Sequence, residues 1–383
     1  MALISRALPR ATLVAFAFFS SLSLIASQAL VHIIRSVTVS QTSLNVAARE
    51  VTTIAIGFAQ PGTVTVVLVD RDGYPVRTLA KAQPVGTTAS FGWDGRDDRG
   101  EVVPDEAYSF RIEWHGSRRS DAYFPADEPA PPMQRIDARS YNRRTATLSY
   151  VLPRASRVHI QAGTAVPDLV TKQPAGLTMK TVVNREPRAA GTIAEHWTGF
   201  DESGAIFIPD LKDFIVAIAA TPLPENSVIT FGNAAHRFID TIAHRRGATL
   251  FTHREHGSHH SGLPTADDVS PSLKIEPLNA VWLAPEHVWV MSGSDALRLR
   301  VSVGGPTAAA FRKHPATVER FIDGRRLGDA ARKTSDVLDV PLDSRSDVQR
   351  VSVNWNSDWG PVAANTILVR RASGAHQTMP SGR

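Results

Sequence analysis

The chain has 383 residues, long enough for two to four domains, each with its own core, and its 25 Gly and 25 Pro suit many short strands joined by turns. It has no cysteine, which excludes disulfides, thiolate metal sites, iron–sulfur clusters and attached c-type haem. The formal charge is +5; without Arg6 and Arg10, which belong to the leader, 40 basic residues face 37 acidic ones, and this even scatter gives no basis for a nucleic-acid partner.

Residues 1–35 have the form of an export signal. Arg6 and Arg10 precede an uncharged run from Ala11 to Ile34, and Ser27-Gln-Ala29 supplies small residues for cleavage after Ala29. The same run is long enough to span a bilayer as an uncleaved anchor. Cleavage is favoured because Val37-Thr-Val-Ser already looks like a strand, leaving almost no spacer from a membrane. Either way, the rest of the chain is expected outside the cytoplasmic membrane, in the periplasm or at the cell surface, with a membrane partner only through this segment.

From 36 to 116 the pattern is that of a β-sandwich. Ile54-Ala-Ile-Gly-Phe58 alternates, Pro61-Gly62 turns, and Val64–Val69 is a strong strand. Asp70-Arg-Asp-Gly73 is hairpin chemistry, and Val76-Arg-Thr-Leu79 returns. The segment Phe91-Gly-Trp-Asp-Gly-Arg-Asp-Asp-Arg-Gly100 then places Trp93 at a strand end and a polar turn after it, and Tyr108–Trp114 closes the unit. Trp93 is expected to plug the core with Tyr108 beside it. Asp70, Asp72, Asp94, Asp97 and Asp98 allow a calcium reading, but no full Asp-x-Asp-x-Asp-Gly loop with a distal Glu is present, and turn chemistry accounts for them.

The order Asp-x-x-Gly, Val76–Leu79, Trp93–Gly100, Val103-Pro104, Tyr108 resembles the immunoglobulin-like domain of the flagellar hook-capping protein, over about 75 residues. One departure is Ala107, where that family usually has Gly. The resemblance implies an immunoglobulin-like sandwich and no reaction of its own.

A proline-rich linker is expected over 117–133, stiff and extended through Phe124–Pro132. A diverged second copy of the same domain is expected over 134–231. Trp197 and Gly204 keep the spacing of Trp93 and Gly100, and Asp201 falls where Asp97 falls. Pro209 comes one residue later than Pro104 predicts, and Val166–Arg188 has lost the hairpin signature. His159 and His196 are expected as tolerated histidines rather than ligands.

Residues 232–270 carry the chemically suggestive segment. Asn233–Gly247 has the form of one helix, capped by Asn233 and ended by Gly247, with Ala235, Phe238, Ile239 and Ile242 as its apolar stripe. His236, Asp240 and His244 lie at i, i+4, i+8, the spacing that helical metal ligands need. His253, His256, His259 and His260 follow, so that six of the 13 histidines fall between 236 and 260. This set suits zinc or copper. A solvated linker that binds no metal, or binds one only weakly, is the competing reading, and a pH-sensing loop is a variant. No His-Glu-x-x-His is present.

A third sandwich is expected over 271–371. Leu297, Leu299, Val301 and Val303 share one face of an alternating strand, Val318–Ile322 is a second, Asp323–Gly328 is a hairpin, and Val337–Leu342, Val348–Trp355 and Thr366–Val369 follow. The stretch from Val318 through Asp323-Gly-Arg-Arg-Leu-Gly328 to Val340-Pro-Leu-Asp343 resembles a bacterial immunoglobulin-like module over roughly 60 residues. Trp355 and Trp359 are either core anchors or an aromatic platform for sugar. Residues 372–383 are expected as a disordered tail.

The fold class is therefore all-β: tandem immunoglobulin-like β-sandwiches with a short helix and a His-rich loop between the second and third. No Gly-x-Ser-x-Gly, phosphate loop or framed carboxylate pair is present, so no enzyme is expected and no catalytic or cofactor residue is named. The function expected is an exported scaffold for protein–protein interaction; the alternative is a periplasmic zinc or copper protein using His236–His260.

Overall fold

The computed structural model describes residues 32–128, 131–137, 139–167, 174–233, 235–236, 238, 272–292, 296–304, 316–327, 331–332, 337–342, 346–357 and 362–372. The chain divides into Met1–His32 and a compact unit, Ile33–Arg383. The described strands form six sheets, paired face to face as three sandwiches, and the fold is nearly all β as the alternation predicts. Among the described residues no helix is long and apolar enough to cross a membrane.

The first sandwich contains β1 (Ile34–Val39), β2 (Ser43–Asn45), β3 (Thr52–Phe58), β4 (Gly62–Val69), β5 (Pro75–Val85), β6 (Thr88–Trp93), β7 (Ala107–His115) and β8 (Ser120–Tyr123). One sheet runs β1-β3-β6. In β3, Thr52, Ile54, Ile56 and Phe58 point inward and alternate with more exposed residues, as a half-buried strand demands. Facing it, Val64, Val66 and Leu68 of β4 and Phe110, Ile112 and Trp114 of β7 are fully buried in the same core. Each such side chain contributes about 1.5–3 kcal/mol by leaving water. Trp93 fills the core end with its ring edge-on to Tyr108, centroids 5.3 Å apart.

The second sandwich contains β9 (Gln134–Arg135), β10 (Arg139–Asn142), β11 (Thr147–Leu152), β12 (Ser156–Pro167), β13 (Pro174–Arg188), β14 (Gly191–His196) and β15 (Phe214–Pro222). Its sheets run β10-β11-β14 and β13-β12-β15-β9. The stretch 166–188, which shows no hairpin signature, nevertheless supplies β13, paired with β12 from Ser156↔Arg188 to Pro167↔Pro174. Three register shifts interrupt that ladder, and they explain why no clean alternation is visible in the sequence.

Two domain boundaries differ from the sequence reading. The strand after β15, β16 (Val228–Phe231), does not end the second sandwich. It enters the first, parallel to β2 and antiparallel to β7, giving the order β2-β16-β7-β4-β5 with β8 also on β7. Val228 is fully buried in the first core. The stretch 117–133 is likewise only partly a connector. β8 pairs with β7 from Ile112↔Tyr123 to His115↔Ser120, and the 3₁₀ turn at Pro125–Asp127 buries Ala126 completely.

The third sandwich contains β17 (Ser272–Pro277), β18 (Ala280–Leu283), β19 (Val288–Met291), β20 (Ala296–Gly304), β21 (Ala316–Ile322), β22 (Arg325–Arg326), β23 (Ala331–Arg332), β24 (Val337–Pro341), β25 (Val348–Ser357) and β26 (Val362–Arg371). Its sheets run β17-β20-β24 and β18-β19-β26-β25-β21-β22, with β23 beside β21. Leu297, Leu299, Val301 and Val303 face the core as their alternation predicts. The Asp323-Gly324 turn sits at positive φ (48° and 82°) between β21 and β22, the conformation a two-residue hairpin needs. Trp355 is 2% exposed in this core, which rules out its use as a sugar platform; Trp359 lies outside the described residues.

Candidate functional site

The two Trp-centred turns share their hydrogen bonds as well as their spacing. Trp93 Nε1 donates to the Arg96 carbonyl at 2.9 Å, and Trp197 Nε1 donates to the Phe200 carbonyl at 3.0 Å. Asp97 Oδ1 accepts from the amides of Arg99 and Glu101, each at 2.9 Å, while Asp201 Oδ1 accepts from Ala205 and Ile206, each at 3.0 Å. Gly100 and Gly204 close the turns at φ 80° and 75°, a region that suits glycine. The extra residue before Pro209 is absorbed inside the turn, where the bridge Arg96↔Val102 becomes Phe200↔Phe207. Four of the five acidic residues that allowed a calcium reading are engaged in the same way. Asp70 Oδ1 accepts from Asp72 and Tyr74 amides at 2.9 and 3.0 Å, Asp94 Oδ1 from Arg96 at 3.3 Å, and Asp98 Oδ1 from Thr78 at 2.9 Å. Turn chemistry therefore holds the carboxylates of Asp70, Asp94, Asp97 and Asp98, whereas Asp72 Oδ2 is buried without a hydrogen-bond partner among the described residues; among those residues no group of three His, Asp or Glu is placed to hold a metal.

A cleft of about 480 Å³ opens between the first and second sandwiches. Arg71 and Glu106 line it from the first, Arg185, Glu186 and Arg188 from β13, and the segment after β16 closes one side with Asn233, His236 and Phe238. Glu106 is its buried centre, 2% exposed. Its Oε1 accepts from Arg157 Nη1 at 2.7 Å and from the Ala107 amide at 2.6 Å, and its Oε2 accepts from Arg71 at 3.2 Å. The Arg71 guanidinium also stacks over Phe238, 4.5 Å from the ring centre. On the opposite wall Arg188 donates to both oxygens of Glu195, at 2.7 and 3.1 Å, and to Glu186 at 2.8 Å. Tyr150 donates to Glu195 at 3.0 Å; burial, and then the Glu195 charge, push its phenol well above the ordinary value, so it keeps its proton. The cations and the carboxylates of Asp105, Glu106 and Glu186 balance, so the cleft has no bias toward an anion. Phe231 lines it at 45% exposure, which leaves an aromatic surface free for contact.

The metal residues named from sequence are only partly placed. His236 is exposed at the rim of this cleft, its amide donating to the Asn233 carbonyl at 3.3 Å. Asp240, His244, His253, His256, His259 and His260 lie outside the described residues. The helix expected over Asn233–Gly247 falls mostly outside the described residues, and what the structure gives for Asn233 is an anchor. Its side-chain amide donates to the Val102 and Val103 carbonyls at 3.2 and 2.9 Å, and its backbone amide donates to Asp105 at 2.8 Å, tying the segment to the first sandwich. Phe238, expected in a helix stripe, is 4% exposed against Arg71. His159 is largely buried on β12; burial, and then the nearby Arg185 charge, lower its pKa to about 4, and it stays neutral. Glu106, Arg157 and Arg71 carry no sequence signal that marks them, because their meeting joins two loops of the first sandwich to a strand of the second.

The second and third sandwiches also meet through packed groups. Phe321 of β21 is buried in the second core, with Leu368 of β26 against the same cluster. Asn354 of β25, its amide oriented to satisfy both bonds, donates to the Thr178 carbonyl at 2.9 Å and accepts from the Thr178 amide at 3.2 Å. This is a side-chain substitute for strand pairing on β13.

No protein-family model matches the chain, and no curated protein matches it. Among solved structures it is similar to the fibronectin(III)-like modules of Clostridium thermocellum CbhA, at 9% identity over 91% of this chain and 100% of that one, TM-score 0.21. It is similar to the four N-terminal Ig domains of Dscam1 isoform 7.44, at 9% identity over 88% and 72%, TM-score 0.21. It is also similar to a tetra-tandem repeat of a large adhesion protein, at 13% identity over 88% and 74%, TM-score 0.18. Likeness at this level carries no argument; the tandem immunoglobulin-like architecture rests on the strand pairing described above.

Proposed function

We propose that the chain is an exported, non-enzymatic scaffold that presents fixed surfaces to a protein partner in the periplasm or at the cell surface. The observation that carries this reading is that both junctions are packed. The strand β16, which follows β15 of the second sandwich but pairs within the first, and the buried Glu106–Arg157 pair join the first two sandwiches, and Phe321 with Asn354 joins the third. Beads on flexible linkers move independently, whereas packed junctions hold their loop ends and strand edges in one arrangement. The flagellar hook-cap resemblance of the first sandwich fits a building module of exported assemblies. The first partner surface is the cleft around Phe231 and His236, which is wide, charge-balanced and aromatic. A photo-crosslinking residue at Phe231 in the native host is expected to give one discrete heavier adduct, lost when Arg188 is changed to Ala. No adduct there, with the protein folded and exported, argues against the cleft as the docking surface.

A second reading keeps zinc or copper at His236, Asp240, His244, His253, His256, His259 and His260. It is supported by the exposure of His236, the member of this set among the described residues. Metal content after dialysis, compared with a variant carrying Ala at His253, His256, His259 and His260, tests it. One ion per chain that the variant loses supports a metal protein; none in either sinks that reading.

A further inference from the structure

β18 lies at the outer edge of the large sheet of the third sandwich; it pairs with β19 on one side, from Ala280↔Met291 to Leu283↔Val288, and among the described residues no strand pairs on the other. Its sequence is Ala280-Val-Trp-Leu283, with neither charge nor proline. The other outer strands of this sandwich carry the usual protection: Lys274, Glu276 and Pro277 on β17, Asp339 and Pro341 on β24, and Arg325-Arg326 on β22. The turn that leads into β18 is tied to β20. The Leu278 amide donates to the Arg298 carbonyl at 2.8 Å, and Asn279 donates to the Ala296 carbonyl at 2.9 Å while accepting from the Arg298 amide at 2.8 Å.

Apolar side chains stand exposed on both faces of this edge. Val281 is 75% exposed, in one row with Val290 of β19, Arg370 of β26 and Val348 of β25, the last 43% exposed. Trp282 is 43% exposed on the other face, tilted against Trp289 with ring centres 5.4 Å apart. An added strand must therefore bring an apolar residue to one face, leave space beside an indole on the other, and place no charge opposite this neutral strand.

β18 itself meets those requirements, and we propose that the chain self-associates by antiparallel pairing of β18 with β18 of a second copy. The register that sets Val281 against the second copy's Val281 puts Trp282 opposite the second copy's Ala280, a large side chain beside a small one on the same face. The interface is isologous and closes at two copies, joining two seven-stranded sheets into one continuous sheet. Self-pairing brings no like charges together, which pairing of β22 with itself would do. The proposal is independent of the cleft between the first two sandwiches.

The test uses the compact unit 33–383 in sedimentation velocity across a rising concentration series. The wild-type chain is expected to pass from monomer to dimer. Val281→Lys, at a site too exposed to disturb folding, should weaken the dimer by about tenfold or more with an unchanged circular dichroism spectrum. Mixing Val281→Lys with Val281→Glu should restore a dimer containing one copy of each, because position 281 then faces its opposite charge. A monomer at every concentration overturns the proposal, as does a dimer that Val281→Lys leaves intact. A mixture that stays monomeric overturns the register.

Discussion

Arg157 of the second sandwich donates to Glu106 of the first at 2.7 Å, with side chains 14% and 3% exposed. A pair this dry is not a free gain in stability, because both ions gave up water to form it, but breaking it leaves Arg157 without this carboxylate, or Glu106 with Arg71 as its remaining cation. Glu106→Ala and Arg157→Ala are each expected to cost about 3 kcal/mol. The double variant should cost clearly less than their sum, because the second change removes the charge left behind by the first. Urea melts of the three proteins measure this, and strictly additive losses would show that the two side chains do not act as a pair.

The placement of β16 predicts where damage travels. Val228 is adjacent to the second sandwich in sequence but buried in the first core. Val228→Ala should cost about 1–3 kcal/mol and speed amide exchange in β2 and β7, leaving β12 and β15 at their wild-type rates. Exchange that rises in β12 and β15 instead would put β16 in the wrong sandwich.

Gly163 sits at a close backbone approach in the β12–β13 ladder. A Cβ there would stand 1.7 Å from the Leu177 carbonyl oxygen, a rigid atom that cannot swing aside. Gly163→Ala is expected to cost roughly 3 kcal/mol or more, because the strands must part. Gly86, with nothing within 4 Å of the added carbon, is the control, and Gly86→Ala should stay within about 0.5 kcal/mol of wild type. Equal midpoints for the two variants would contradict the close approach.

His159 sets an acid limit on stability. Its folded pKa is depressed to about 4, first by burial and then by Arg185. The unfolded chain therefore binds a proton more readily than the folded one. Its contribution is fully present above about pH 6.5, is lost progressively as pH falls toward 4, and amounts to roughly 3 kcal/mol. His159→Gln should flatten this part of the stability-against-pH curve. An unchanged slope between pH 6.5 and 4 would assign the acid sensitivity to other groups.

The paired indole bonds predict matching losses. Trp93→Phe and Trp197→Phe each remove the donor that satisfies the carbonyl three residues on, at Arg96 and Phe200. Each should cost about 1–3 kcal/mol from the lost bond and the space left by the smaller ring. Thermal melts in which only one of the two matters would mean that the copies have diverged in how they hold this turn.

Local chemistry made much of this architecture legible. The alternation in Ile54–Phe58 and Leu297–Val303, the hairpin at Asp70–Gly73 and the turns after Trp93 and Trp197 all fall within a few residues, where strand period and turn geometry leave a direct trace. The candidate site was far less legible. The sequence named His236, Asp240, His244, His253, His256, His259 and His260 for metal; of these the described residues include His236, at the rim of a cleft whose buried centre, Glu106, has no mark in the sequence.

The sequence by itself determined three strand-rich units, the two Trp-centred turns and their one-residue offset, because each depends on contacts between near neighbours. Only the tertiary structure decided that Val228–Phe231 completes the first sandwich, that Glu106 meets Arg157, that Asn354 pairs with Thr178, and that β18 is left as an unprotected edge. Those outcomes depend on which segments find one another far apart in the chain, or on which sheet edge is left over. A four-residue strand carries no periodicity that names its partner; burial of Val228 in one core rather than another is settled by packing, not by pattern.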